Sequence, residues 1–546
     1  GSGTLTLSGT IDGGQALTIT NTGTVALNGN VGTGAGTALT SLSVSGPSSI
    51  GADIKTSGTQ TYTGAVTVSG GNRTLTTTSS TAGDTIIFSS TVDSDVSAAR
   101  ALTITTGGNT PTVRFNGVVG GTNPLGAIAI TGALDLNAII QKTSDSSAGA
   151  ASLTVSGVSD LGANVNTSGI QTYSGAVTLS GADRTLKGST ITNSSTITGA
   201  TFSLTETGNS VINGAISGVN IFSVSGTTSL GADVSTTGTQ TFTGALTVNG
   251  AARTLTTTGD DVTFSGTINS DSAGAGVRNL TIATGSAATV QFNGIVGGTY
   301  ALGAIAITGT SAALDLNAAI TGALSLSVSG PSNLGANVTT TANSQTYTGA
   351  VTLSVDTTLT DAGNILFSST VDGGYTLTIV NTASGNITFT GAVGGTTPLT
   401  GLDITTNTLT AAAIKSTGTL SVNNALASSI TGIISDGSTA LAVTKSGVGP
   451  LTLSGANTYT GGTTITNGVV KAGISSTGSV TNGAFGTGSV TVNSAGAIDL
   501  NSYTVANALS LSGTGYSSSG ALYNSHLTSG ATASGNITLA GATILL

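Results

Sequence analysis

One stretch recurs four times in this chain and constrains every other reading of it. SLSVSGPSSIGADIKTSGTQTYTGAVTVSGGNRTL, over 41–75, returns in divergent form over 152–186, 222–255 and 325–359. A self-similar unit of this kind fixes the architecture before any local motif does. From Tyr62 to Val68 the apolar side chains fall on alternate positions, the period of a strand with one buried face. Gly51, Gly64 and Gly70 punctuate that alternation where the chain must bend tightly. The pattern predicts a repetitive all-β protein.

The spacing of the copies narrows this further. The equivalent glycines Gly51, Gly162, Gly231 and Gly335 are separated by 111, 69 and 104 residues. Unequal intervals exclude a simple tandem array. They fit a parallel β-helix in which whole coils of roughly 20–23 residues are gained or lost, about five, three and five coils in turn. Whole-coil insertion is expected because a one-residue slip would turn the buried face outward. At this size the chain would form roughly 25 coils and a rod on the order of 120 Å.

Composition agrees with a folded solenoid. Charged residues are only 6% of the chain and the apolar fraction is 37%, with 83 Gly among 546 residues. Disorder needs low hydrophobicity and high net charge, and neither holds. Ser, Thr, Asn and Gly must therefore supply most of the wet surface. A net charge of −9 with scattered Lys and Arg argues against nucleic acid as a partner, since a polyanion needs clustered cations. Cys, Met and Trp are absent, so disulfides and thiolate metal sites are excluded, and stability must come from backbone ladders and core stacking. No signal segment opens the chain and no run of 18 apolar residues crosses a membrane. Entry part-way through a repeat, and an apolar end at Ala542–Leu546, lead us to expect a piece of a longer polypeptide, with head-to-tail polymerisation as the second reading.

Further coils recur as multi-coil blocks. FNGVVGG from Phe115, FNGIVGG from Phe292 and FTGAVGG from Phe389 are one series, and ALDLNA at 133–138 and 313–318 another. Phe88, Phe115, Phe264, Phe292, Phe367 and Phe389 head such coils and are expected to stack in the core, where an aromatic buries most area. Asn116, Asn137, Asn293 and Asn317 sit beside turn glycines, where left-handed geometry and bonding to their own backbone are expected. The organisation is read as a β-solenoid of divergent repeats over 1–420, continued by a shifted pattern over 421–546.

Within that second part, 447–473 reads GVGPLTLSGANTYTGGTTITNGVVKAG. The order and spacing of Leu451–Gly455, Asn457–Thr464 and Gly468–Gly473 resemble the autotransporter-associated β-strand repeat, also called the passenger-associated transport repeat. The opening 1–9 echoes its first third, and 488–513 is similar to the segment that commonly follows it. The resemblance implies a secreted or cell-surface β-solenoid of a diderm bacterium, right-handed as is common in that family, exported with an outer-membrane transporter as partner. It implies no catalytic residue. Neither a translocator barrel nor a secretion domain is recognisable in this sequence.

The sequence offers no catalytic, cofactor-binding or metal-binding residue to nominate, and no cofactor is expected. His526 is the only histidine and Glu206 the only glutamate, and no G-x-S-x-G accompanies them. Asp260–Asp261 is the one adjacent acid pair, and neighbours on a strand point to opposite faces. Arg73, Arg184 and Arg253 recur after a turn and read as solvated or capping, with Thr357 in the fourth copy. A polysaccharide-degrading β-helix enzyme is the strongest catalytic alternative, but no coil concentrates the carboxylates it needs. We expect a non-catalytic adhesin stalk or matrix fibre acting through reach, stability and self-association, end to end or lateral. Its surface partners would be host, neighbouring-cell or matrix polysaccharide. The alternatives are a self-polymerising sheath subunit, or a sugar- or ice-binding solenoid presenting flat threonine rows over five or more coils.

Overall fold

In a computed structural model, residues 1–34, 38–81, 83, 85–97, 100–108 and 111–546 are described. They form two compact units, Gly1–Gly266 and Thr267–Leu546. Each is an all-β solenoid of stacked parallel coils, about 24 turns between them. Most strands are short and alternate inward and outward, as in Gln60–Tyr62 and Val66–Val68. Alternation puts one face of each short strand in the core and leaves the other wet. Among the described residues the two helical segments, Gly274–Gly276 and Tyr516–Ser518, are single 3-10 turns, and no helix is long and apolar enough to cross a membrane.

Three walls build the first unit. One carries the inward column Tyr62, Phe88, Phe115, Leu136, Leu161 and Leu179. A second carries Leu75, Ile104, Ile130, Val155, Tyr173 and Asn193. The third runs through Val165, Leu186, Glu206, Val224, Phe242 and Phe264. Tyr62, Tyr173 and Phe242 are equivalent in the repeated motif, yet each stands on a different wall. The expectation of whole-coil insertion is therefore corrected. From Tyr62 to Tyr173 the chain completes four coils and two further strands, and from Tyr173 to Phe242 three coils and two further strands. Coil length also spans a wider range than expected, with 18 residues from Leu42 to Gln60 and 27 from Ile86 to Val113. A strand and its turn form the unit of growth. The buried face survives because each added strand keeps the same inward alternation on whichever wall it joins.

Stacked aromatics fill the core as expected. Phe88 lies 5.3 Å from Tyr62 and 5.0 Å from Phe115, and Phe367 lies 5.2 Å from Tyr347 and 4.8 Å from Phe389, ring over ring. All six predicted core phenylalanines are buried. The motif also hides a polar device that alternation does not reveal. Gln60, Gln171, Gln240 and Gln345 are wholly buried, and their side-chain amides donate to Thr56, Thr167, Thr236 and Thr340. The same amides reach the carbonyls of Thr76, Lys187, Thr256 and Thr360 on the next coil. Tyr62, Tyr173 and Tyr347 donate to the glutamine Oε1 at 3.0 Å. In the third copy phenylalanine replaces tyrosine, and Gln240 Oε1 is buried without a partner.

A second device ties each motif to the coil above. Asp53, Asn164, Asp233 and Asn337 accept the backbone N–H of Thr74, Thr185, Thr254 and Thr358 at 2.8–2.9 Å. Asp and Asn interchange there because both offer the same carbonyl oxygen. The recurring arginines are caps: Arg73 and Arg253 bond the carbonyls of Ser69 and Asn249, and Arg184 bonds those of Leu161, Asp183 and Ser180. Each guanidinium lies over a glycine of positive φ, Gly70, Gly181 or Gly250. The fourth copy is one residue shorter at this turn and lacks both the glycine and the arginine. The asparagines differ from expectation. None of Asn116, Asn137, Asn293 and Asn317 has positive φ; Asn137 donates to Asn116 at 3.0 Å and Asn317 to Asn293 at 2.9 Å, forming ladders between coils. Asp260 and Asp261 lie in the turn before Val262–Phe264, not on a strand.

Two stability outcomes follow from these devices. Phe242→Tyr should stabilise the first unit by about 1 kcal/mol by supplying Gln240 with its missing donor, whereas Tyr347→Phe should cost the second unit about 1–2 kcal/mol. Asp233→Ala should cost about 1–2 kcal/mol and Asp233→Asn much less, since Asn already serves in two copies. Chemical denaturation of the four variants beside the parent checks both sets.

Candidate functional site

The solenoid walls are regular, and two departures from that regularity flank the second copy of the motif, 152–186. The segment 133–155 has 23 residues where its counterpart 313–328 has 16. The extra residues form a small hairpin, with an antiparallel bridge between Gln141 and Ala148 and a left-handed residue at Ser146. Lys142 and Asp145 pair across it at 3.3 Å, and Asn166 Nδ2 pins it to the wall through the Ser146 carbonyl at 2.9 Å. The second departure is Lys187-Gly188, which stands where the other copies have Thr76-Thr77, Thr256-Thr257 and Thr360-Asp361. Here the strand Arg184–Asn193 runs on for ten residues, and its register against Leu204–Ile212 shifts between Lys187 and Thr190. Gly208, at φ +133°, passes so close to the Gly188 carbonyl that a Cβ would collide with it.

The two departures meet at one open groove of about 550 Å³. Ser147 and Ala148 of the hairpin form one side, and Lys187, Ser189, Thr207 and Ser225 another. Its lining carries hydroxyls, amides and one cation, with no carboxylate. Sequence reading missed the groove because each departure looks like ordinary divergence until the fold places them together.

Several ionisable side chains are buried elsewhere, among them Glu206, Asp361 and Lys445. Glu206 is 0% exposed on the third wall, where its Oε1 accepts the Asn193 amide at 2.8 Å and its Oε2 has no partner. Burial pushes its pKa up to about 7, opposed by the Asn193 hydrogen bond and by the Ser210 hydroxyl, which lies near but makes no hydrogen bond to Oε2. In the second unit Lys445 is also 0% exposed, with its ammonium donating to the Gly447 carbonyl. Burial pulls its pKa down to about 8. Gly468, at φ +75°, leaves the space beside that ammonium. Nearby, Asn457 is fully buried, accepts Ile434 N–H at 2.8 Å and donates to the Ala484 carbonyl at 2.7 Å. Tyr459 and Thr463 share a buried hydrogen bond of 2.6 Å.

His526 is exposed, and its Nδ1 accepts Ser529 N–H at 3.0 Å within its own turn. Among the described residues no group of three or more His, Asp or Glu could hold a metal ion. Nor is there a long threonine lattice. In the described pairings the longest unbroken rows run three coils, as in Thr76–Thr105–Thr131 and Thr444–Thr464–Thr491.

The segment that contains Lys445, Asn457, Tyr459 and Gly468 also has a relative among known families. Residues 443–472 match the family model of the passenger-associated-transport-repeat. The chain thus carries such a repeat within a β-solenoid, the combination of an autotransporter-passenger-like β-helical protein. No curated protein and no solved structure matches the chain.

The buried carboxyl gives the first unit a pH dependence with a definite sign. The folded state holds Glu206 at about 7 against an ordinary value of 4.5, so the neutral form is favoured on folding. Its contribution is fully present below pH 4.5 and lost as pH rises through about 7, a change of the order of 3 kcal/mol. Denaturation of the parent between pH 4 and 8 should show this fall, and Glu206→Gln should flatten it.

Proposed function

We propose that the chain is a non-catalytic structural segment of an exported protein of a diderm bacterium, serving as an adhesin stalk or extracellular matrix fibre. The observation that carries this reading is the use to which polar side chains are put. Asp53, Asp183, Asp233, Asp356, Asp372 and Asp436 all accept backbone N–H groups of a neighbouring coil. Arg100, Arg114 and Arg278 are paired to Asp95, Asp135 and Asp271. Side chains spent on holding coils together are not free to act as acid, base or nucleophile. The match at 443–472 supports export and a secreted or surface-exposed setting. A surface with few charges and continuous ladders suits a segment that must resist proteolysis outside the cell.

Immunogold electron microscopy of intact and sectioned cells of the source bacterium tests this reading. Label on extracellular fibres or stalks, removed by external protease without lysis, is the expected result. Label confined to the cytoplasm overturns it. So does release of new reducing ends when the purified chain is incubated with polysaccharides.

A further inference from the structure

We propose that the groove beneath the 141–148 hairpin is a binding site for an acidic polysaccharide, a sugar chain bearing carboxylates. The first argument is convergence. The hairpin insertion lies just before the second copy and the Lys187-Gly188 replacement just after it, and neither is needed to build the solenoid, since 313–328 folds without the hairpin and the other three copies are followed by Thr-Thr or Thr-Asp. Both border the same concavity. The insertion is held over it, through Asn166 to Ser146.

The second argument is charge. In a chain of net charge −9, this lining has a lysine and no acid. Most other cations are engaged: Arg100, Arg114, Lys142, Arg278 and Lys471 face carboxylates, and Arg73, Arg184, Arg253 and Lys445 cap carbonyls. The Lys187 side chain is exposed and has no ion-pair or hydrogen-bond partner among the described contacts. Its backbone carbonyl keeps the bond to Gln171 that the motif requires, so the side chain alone is new.

The third argument is the character of the walls. Ser168, Ser189, Thr207 and Ser225 present hydroxyls, and Gly188 and Gly208 line the groove without side chains because neighbouring backbone fills the space a Cβ would need. Hydroxyls and peptide groups suit the dense donors and acceptors of a sugar chain, while a peptide ligand would want apolar pockets for alternate side chains. The ammonium selects for carboxylate by a charge-assisted hydrogen bond.

Isothermal titration of the full chain with tetragalacturonate, with the neutral sugar maltotetraose and with tetraglutamate tests the proposal. Binding of tetragalacturonate alone is expected. Lys187→Thr, which restores the residue type of the other three copies, should weaken that binding about tenfold or more. Lys415→Thr in the second unit should leave it unchanged. Equal binding of maltotetraose, preference for tetraglutamate, indifference to Lys187→Thr, or no binding of tetragalacturonate to the parent each overturns it. Matching thermal transitions of Lys187→Thr and the parent separate loss of the site from loss of fold. A negative result leaves the structural reading standing, because that reading does not depend on the groove.

Discussion

Everything in this protein depends on one constraint: each coil must satisfy its backbone polar groups on the coils above and below. A strand of three residues makes too few ladder bonds to hold alone, so register has to be fixed at the corners as well. The Asp/Asn acceptors do this from the turns, and the buried glutamines do it from inside. In both cases a side chain reaches the backbone of an adjacent coil, which turns a lateral stack into a cross-linked one without a single cysteine. The low content of charge follows from the same economy, since acids that accept N–H bonds at turns need no cationic partner.

Growth by strands rather than by coils changes how such a chain diversifies. If only whole coils were allowed, a duplicated motif would always return to the same wall. In the first unit it moves from wall to wall, because the short strand and its turn keep their inward alternation anywhere on the stack. Buried polar groups then tolerate local mismatch at a cost. Gln240 without its tyrosine, and Glu206 with one oxygen unpaired, are such places. The groove is the opposite case, where divergence adds surface at the cost of one register shift between Lys187 and Thr190.

The passenger-associated-transport-repeat segment obeys the same physics with different residues. Asn457 bonds backbone of neighbouring coils at Ile434 and Ala484, and Tyr459 pairs its buried phenol with Thr463 where the motif tyrosines use glutamine. Lys445 is the departure, a cation taken into the core and satisfied by a carbonyl beside a glycine. Its cost falls as the amine becomes neutral above about pH 8, whereas that of Glu206 falls below about pH 7.

Alternation and repetition determined the all-β solenoid, the buried Phe heads, the capping arginines and the likeness at 447–473, because each is a property of neighbours along the chain. Only the tertiary structure decided which wall each copy joins, since that follows from the sum of many unequal turn lengths. It alone showed that Asn116 and Asn293 form ladders, because their partners lie more than twenty residues away. It alone brought the hairpin at 141–148 to Lys187, two features unremarkable in sequence. What a residue alternates with is written locally; what it touches on the next coil is set by how many residues the turn between them consumes.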